Sequence, residues 1–222
     1  MARLARIVVP GIPHQVTQRG NRREDVFFED ADYKTYLVLL EQYTEASGTE
    51  LWAYCLLPNQ TQLILVPPSE AALTKAVQEV HRRYTRHINL KKDWVGHVWQ
   101  GRYASFPMDR PHLLAAARAV ELAPVRAGLV KRPRDWKWSS ARAHLAGKAK
   151  GALKVDRLLK FRPDWRAFLK EDLTDEDAQR LRKAESTGRP LGSEKFIAKL
   201  EKKTGRVLKK QKPGPKPKKI DK

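Results

Sequence analysis

The chain has 222 residues, 41% of them hydrophobic, and a formal charge of +20 from 45 Lys and Arg against 25 Asp and Glu. That length holds one core domain of about 100–150 residues with appendages, and no apolar stretch nears the roughly 20 residues needed to span a bilayer. A single cysteine, Cys55, excludes an internal disulfide framework.

The first segments, Arg6 to Pro10 and His14 to Gln18, read as extended pieces around a Pro-Gly-Ile-Pro break, followed by a basic loop over residues 18–28. They carry no secretory leader, so a reducing, cytoplasmic setting is expected. Residues 30–46 place Tyr36, Leu37, Leu39, Leu40 and Tyr43 at helical spacing, with Gly48 as the stop. Leu51 to Leu57 and Gln60 to Val66 read as paired strands turned by Pro58-Asn59. Ser69 caps a helix running to about Leu90. Residues 96–108 read as a strand or hairpin, and residues 110–127 as a helix until Pro124. The order β-α-β-β-α-β predicts an α+β fold of the split βαβ (ferredoxin-like) type: an antiparallel sheet with two helices on one face. A C-terminal helical extension follows. The expected division is a core over residues 1–130, the extension over 131–200, and a basic disordered tail over 201–222.

Charge points to the partner. Lys202 to Lys222 holds ten Lys or Arg and one acid, yet the first 201 residues still carry +11. A solubilising surface would explain the tail alone. A basic body as well points to a polyanion, with nucleic acid as the expectation.

The residues that could carry chemistry are sparse. Gln60 and Gln62 stand two apart on a strand and so share a face, where two histidines would have made a metal site. None of the six histidines forms a ligand pair by spacing. Tyr84, set between arginines in HRRYTRH, suits either base stacking or the core side of its helix. Tyr103 follows Arg102, a pairing fit for a DNA-facing edge. Ala119 and Ala123 share a helix face and taken alone mark only a packing surface. Asp109 and Glu121 have no readable partner carboxylates. Ser193 reads as the cap of a short amphipathic helix with a basic flank.

Five blocks taken together, MARLARIVVPGIPHQVTQRGNRR, YCLLPNQTQLIL, GHVWQGRY, APVRAGLV and WKWSSARAH, resemble the REP-associated tyrosine transposases. These are IS200-like, single-tyrosine members of the HUH nucleases. The resemblance implies a DNA-binding domain that uses Mg²⁺ or Mn²⁺ held by two strand histidines. A helix tyrosine would attack a phosphodiester, and a polar residue one turn on would complete the metal site. The chain departs at all four positions. The family's Pro-Asn-His-x-His stands here as Pro58-Asn59-Gln60-Thr61-Gln62. Its tyrosine position is Ala119 and its third ligand position is Ala123. No cofactor is therefore expected.

The expectation is a DNA-binding protein that has lost strand cleavage and binds single-stranded, hairpin-bearing DNA. Contacts would come from Arg19, Arg22, Arg23, Arg82, Arg83, Tyr84, Arg86, Arg102, Tyr103 and Arg126 with the basic tail. The resemblance leaves a homodimer open and implies no membrane contact. Two rivals stand beside it. One is a residual nuclease that uses Tyr103 or Tyr84 with metal on Gln60 and Gln62. The other is an RNA-binding sheet of the RRM kind, against which the missing basic-Gly-aromatic strand counts.

Overall fold

The computed structural model describes residues 5–171 and 173–209. Strands β1 (His14–Arg19), β2 (Glu50–Leu57), β3 (Gln60–Val66) and β4 (Ala104–Pro107) form one antiparallel sheet in the order β2-β3-β1-β4. Helix α1 (Asp30–Ser47) joins β1 to β2, and α2 (Glu70–Lys92) joins β3 to β4. The split βαβ expectation holds.

Local signals set the helix ends. Asp32 accepts hydrogen bonds from the backbone N–H groups of Phe28 (2.9 Å) and Glu29 (3.2 Å) at the start of α1. Gly48, at φ 67, ends it. Ser69 accepts from Ala72 N at the start of α2, which runs two residues past the expected Leu90. The two extra residues matter for packing: Lys91 reaches Asp32 at 2.5 Å and Glu29 at 2.6 Å, tying the end of α2 to the start of α1.

Strand alternation sorts the sheet into two cores. Val16, Tyr54, Leu56, Leu63 and Leu65 face α1 and α2, meeting Tyr36, Leu40, Leu73, Val77 and Tyr84. Ala53, Cys55, Leu57, Ile64 and Phe106 face the other way. That second face is covered too. Helix α3 (Arg110–Glu121) lays Leu113, Ala116, Ala117 and Val120 on it, and the extension adds α6 (Val155–Leu159), α7 (Trp165–Lys170) and α8 (Asp175–Thr187). With helices on both faces, the open aromatic sheet that the RRM reading requires does not exist here.

Several expectations are corrected. The extended piece over residues 6–10 takes no place in the sheet: Ile7 and Val9 pack on Leu200 of α9 (Glu194–Thr204), and Val9 N–H donates to His14 Nε2 at 3.1 Å. Of residues 96–108 only β4 is strand, preceded by a single bridge between Gly20 and Trp99. The helix over 110–127 breaks at Leu122 and restarts as α4 (Ala123–Arg126), because Pro124 lacks the N–H that a continuous helix would use. The expected tail begins too early. Residues 201–204 close α9 and Leu208 is buried against the same cluster, while residues 210–222 lie outside the described residues. As read from the sequence, Ser193 caps α9 by accepting from Phe196 N at 3.2 Å.

The Trp-Lys-Trp-Ser-Ser block, which precedes α5 (Ala141–Ala146), clamps the β2 edge. Leu56 N–H donates to Trp138 O and Ser140 N–H to Tyr54 O, both at 2.9 Å, and Trp136 Nε1 donates to Leu56 O at 2.9 Å. The extension is thereby stitched to the sheet rather than appended to it.

Candidate functional site

The Pro58-Asn59 turn carries the glutamine pair and is held from both sides. Its carbonyls accept from the neighbouring basic loop: Asn59 O from Gly20 N–H, and Pro58 O from Val26 and Phe27 N–H, at 2.8 to 3.0 Å. Gly20 is obligatory in that loop, since a Cβ there would meet Glu24 O at 2.1 Å. Gln60 faces Leu57 and Arg19 across the ladder, and Gln62 faces Cys55 and Thr17. Because Cys55, Leu57 and Ile64 belong to the second core, the two amides point to the α3 face of the sheet. Both are half-buried, and among the described residues neither amide has a hydrogen-bond partner.

Ala119 and Ala123 are buried in that same core, on α3 and α4, which pack on β2. The four positions that the resemblance singles out thus lie on the same side of the sheet. Arg126 donates to Ala119 O at 2.9 Å, closing the end of α3. Burial, and next the positive charge of Arg182 on α8, hold its guanidinium pKa below the usual value. Arg19 reaches the same side and pairs with Glu185 of α8. Burial pushes the Cys55 thiol well above its ordinary range, which leaves it an inert core residue.

The remaining basic residues sit differently from one another. Arg22 and Arg23 occupy the tip of the loop with φ 53 and 64, a left-handed conformation that costs each about 1–2 kcal/mol. Both are exposed, as is Arg86 on α2, and among the described residues none of the three has an ion-pair partner. Arg82 and Arg83 share Glu79 at 2.6 and 3.8 Å. Arg102 is exposed beside Tyr103.

Tyr84 corrects the expectation of a DNA contact. It is fully buried, its hydroxyl donates to Val26 O at 2.7 Å, and its ring meets Phe27, Tyr36 and Trp99. The reading in which it lines the core side of α2 is the one realised. Burial drives its phenol pKa far upward, so Tyr84 is neither a nucleophile nor a stacking platform. Tyr103 is also buried, 6% exposed, with Arg6 stacked 3.6 Å from its ring centroid. It lines a cavity rather than an open strand edge.

Some residues that spacing left without a role hold the site together. Glu121 is fully buried and accepts from Ser140 Oγ, His144 Nδ1 and Trp165 Nε1. Arg118 donates to Phe168 O at 3.1 Å and pairs with Glu171, fixing α7 to α3. Asp109 accepts from His112 Nδ1 and Ser193 N–H, joining the starts of α3 and α9. No local pattern announces these contacts, because every partner lies in another element except His112. Among the described residues no cluster of three or more His, Cys, Asp or Glu could hold a metal ion, and no helix is long and apolar enough to cross a membrane.

Residues 10–119, which bring β1 to β4 and most of α3, match the family described as transposase IS200 like. No curated protein matches the chain. Its fold is similar to that of a REP-associated tyrosine transposase bound to a REP hairpin. The TM-score is 0.57 and the identity 19%, over 70% of this chain and 90% of that one. A structure from Deinococcus radiodurans, described as a transposase candidate, aligns more loosely, with a TM-score of 0.39 and 15% identity over 58% of this chain and 98% of that one. Over residues 10–119, just under half of its length, the chain is similar to the IS200-like transposase family.

Proposed function

We propose that this protein binds single-stranded, hairpin-bearing DNA and does not cleave it. The observation that carries the reading is the make-up of the one face on which Gln60, Gln62, Ala119 and Ala123 converge. A strand-cleaving member needs a nucleophile and metal ligands there. This chain offers two neutral amides and two methyl groups. The residues do not fit a divalent metal: amide oxygens bring no charge to a hard cation, and alanine brings no donor at all.

Binding is supported by other features. Arg22, Arg23 and Arg86 project unpaired charge among the described residues, and the whole chain carries +20. The structural neighbour named for its REP hairpin adds the hairpin to the reading. A residual nuclease is disfavoured by the burial of Tyr84 and Tyr103.

A labelled single-stranded oligonucleotide with a 5′ hairpin, incubated in Mg²⁺ or Mn²⁺, tests both halves. Native gels should show binding that weakens steeply between about 50 and 200 mM salt. Denaturing gels of the same samples should show no protein–DNA adduct. A metal-dependent adduct would overturn the loss of chemistry, and absence of binding at low salt would overturn the function.

A further inference from the structure

On the α2 side of the sheet, near the end of β1 that also carries Arg19, a cavity of about 230 Å³ opens between α2 and residues 99–103. Trp99, His81 and Tyr103 wall it, with Gln18, Arg6 and Arg102 around them and Gln78 at the rim. It is smaller than the roughly 300–1,000 Å³ of a typical ligand pocket, which suits one planar ring and little more.

The lining is built, not incidental. Gln18 is only 2% exposed, and its Nε2 donates to Gly101 O at 3.1 Å. A carbonyl can only accept, so the amide orientation is fixed and Oε1 is left as an acceptor with no partner among the described residues. Gln18 lines the cavity, so its amide offers an acceptor to whatever fills that space. The Trp99 ring lies 4.8 Å from that of His81, and Trp99 Nε1 donates to His81 O at 3.3 Å, so the aromatic wall is rigid. Burial lowers the His81 pKa to about 3, which keeps this wall uncharged at neutral pH. A neutral aromatic wall and an amide acceptor suit a flat, hydrogen-bonding ring, and the guanidinium groups of Arg6 and Arg102 in the same lining suit the phosphates that flank it.

We infer that this cavity takes a single unstacked nucleobase of the bound DNA strand, stacked on Trp99 and donating a ring or exocyclic N–H to Gln18 Oε1. The inference rests on the DNA-binding reading and adds a recognition pocket to it. The pocket lies on the opposite face of the sheet from Gln60 and Gln62, yet Gln18 and Arg19 are adjacent on β1. A strand passing the end of β1 reaches both.

The test is photocrosslinking of full-length protein to a single-stranded 12-mer carrying 5-iodouracil, with mass-spectrometric mapping of the modified residue. Trp94, which is 46% exposed and lies outside the cavity, serves as the internal comparison. Crosslinks at Trp99 or Tyr103 are expected. The variant Gln78→Trp, at an exposed rim position that leaves the core intact, should abolish them and weaken binding of the base-bearing strand about tenfold, to the level of an abasic 12-mer. If DNA is bound but crosslinks fall only on Trp94 or elsewhere, or if Gln78→Trp changes nothing, the pocket is overturned while DNA binding stands. If neither 12-mer is bound at low salt, both fail together.

Discussion

Glu121 on α3 and His144 on α5 meet in the core at 2.6 Å, with both side chains fully buried. The same carboxylate accepts from Ser140 Oγ and, at 2.7 Å, from Trp165 Nε1. One acid therefore joins the transposase-like core to two separate segments of the extension. Removing one partner of a buried hydrogen bond leaves the other unsatisfied, at a cost of about 1–3 kcal/mol. Glu121→Gln or His144→Ala should lower stability by that order in urea denaturation. A double-mutant cycle should show coupling well above the few tenths of a kcal/mol found for distant sites.

Tyr84→Phe isolates the correction made for that residue. Deleting the hydroxyl leaves Val26 O without its donor, and should cost about 1–3 kcal/mol of stability. DNA affinity at fixed salt should not change. A selective loss of affinity without loss of stability would restore Tyr84 to the DNA surface.

Arg22, Arg23 and Arg86 make the opposite case. Each alanine substitution should reduce the slope of log K against log salt by about 0.7 on single-stranded DNA, with little effect on the urea midpoint. For Arg22 and Arg23, replacement by glycine should raise stability slightly, because glycine takes their left-handed backbone without strain. Arg82 and Arg83, which share Glu79, should each contribute less to the slope.

The glutamine pair can be turned back. Gln60→His with Gln62→His places two imidazoles on the same half-buried face and should create transition-metal affinity that the parent lacks. Isothermal titration with Mn²⁺ or Zn²⁺ reads this directly. Adding Ala119→Tyr without the histidines should give no covalent adduct, since a lone phenol without an activating cation is a weak nucleophile.

Acid should destabilise the protein before its carboxylates titrate. His14 is fully buried, accepts from Val9 N–H and donates to Ile12 O at 2.7 Å, and desolvation lowers its pKa from 6.5 to about 4. The unfolded chain binds a proton at this histidine below about pH 6.5, and the native state does so only below about pH 4. The neutral ring's stabilisation is complete above pH 6.5 and is lost as the pH falls through that window, by about 3 kcal/mol in all. His81, lowered to about 3, extends the same trend. Urea midpoints measured from pH 7.5 to 4.5 should fall steadily, and His14→Phe should flatten the curve.

Chain order and strand alternation made the sheet legible in advance. Tyr36, Leu40, Leu63 and Leu65 announce their faces through periods of 3.6 and 2, which are local properties of the backbone. The same alternation placed Gln60 and Gln62 together, and helical spacing did the same for Ala119 and Ala123. Three caps and stops, Gly48, Ser69 and Ser193, were readable for the same reason: each acts on atoms within a few residues.

What lay beyond reach depends on contacts between distant segments. No spacing tells whether Tyr84 faces the core or solvent, because arginines flank it on both sides of the chain. Only the packing of α2 against Phe27 and Tyr36 decides that. Nor does the sequence reveal that Gln18 and Trp99, 81 positions apart, line one cavity, or that Glu121 serves Ser140, His144 and Trp165. The residues by themselves determined most of the elements, the basic character and the pairing of Gln60 with Gln62 and of Ala119 with Ala123 on a face each. Tertiary structure alone decided that these four share one face, since convergence of a strand and a helix is set by how their apolar surfaces pack.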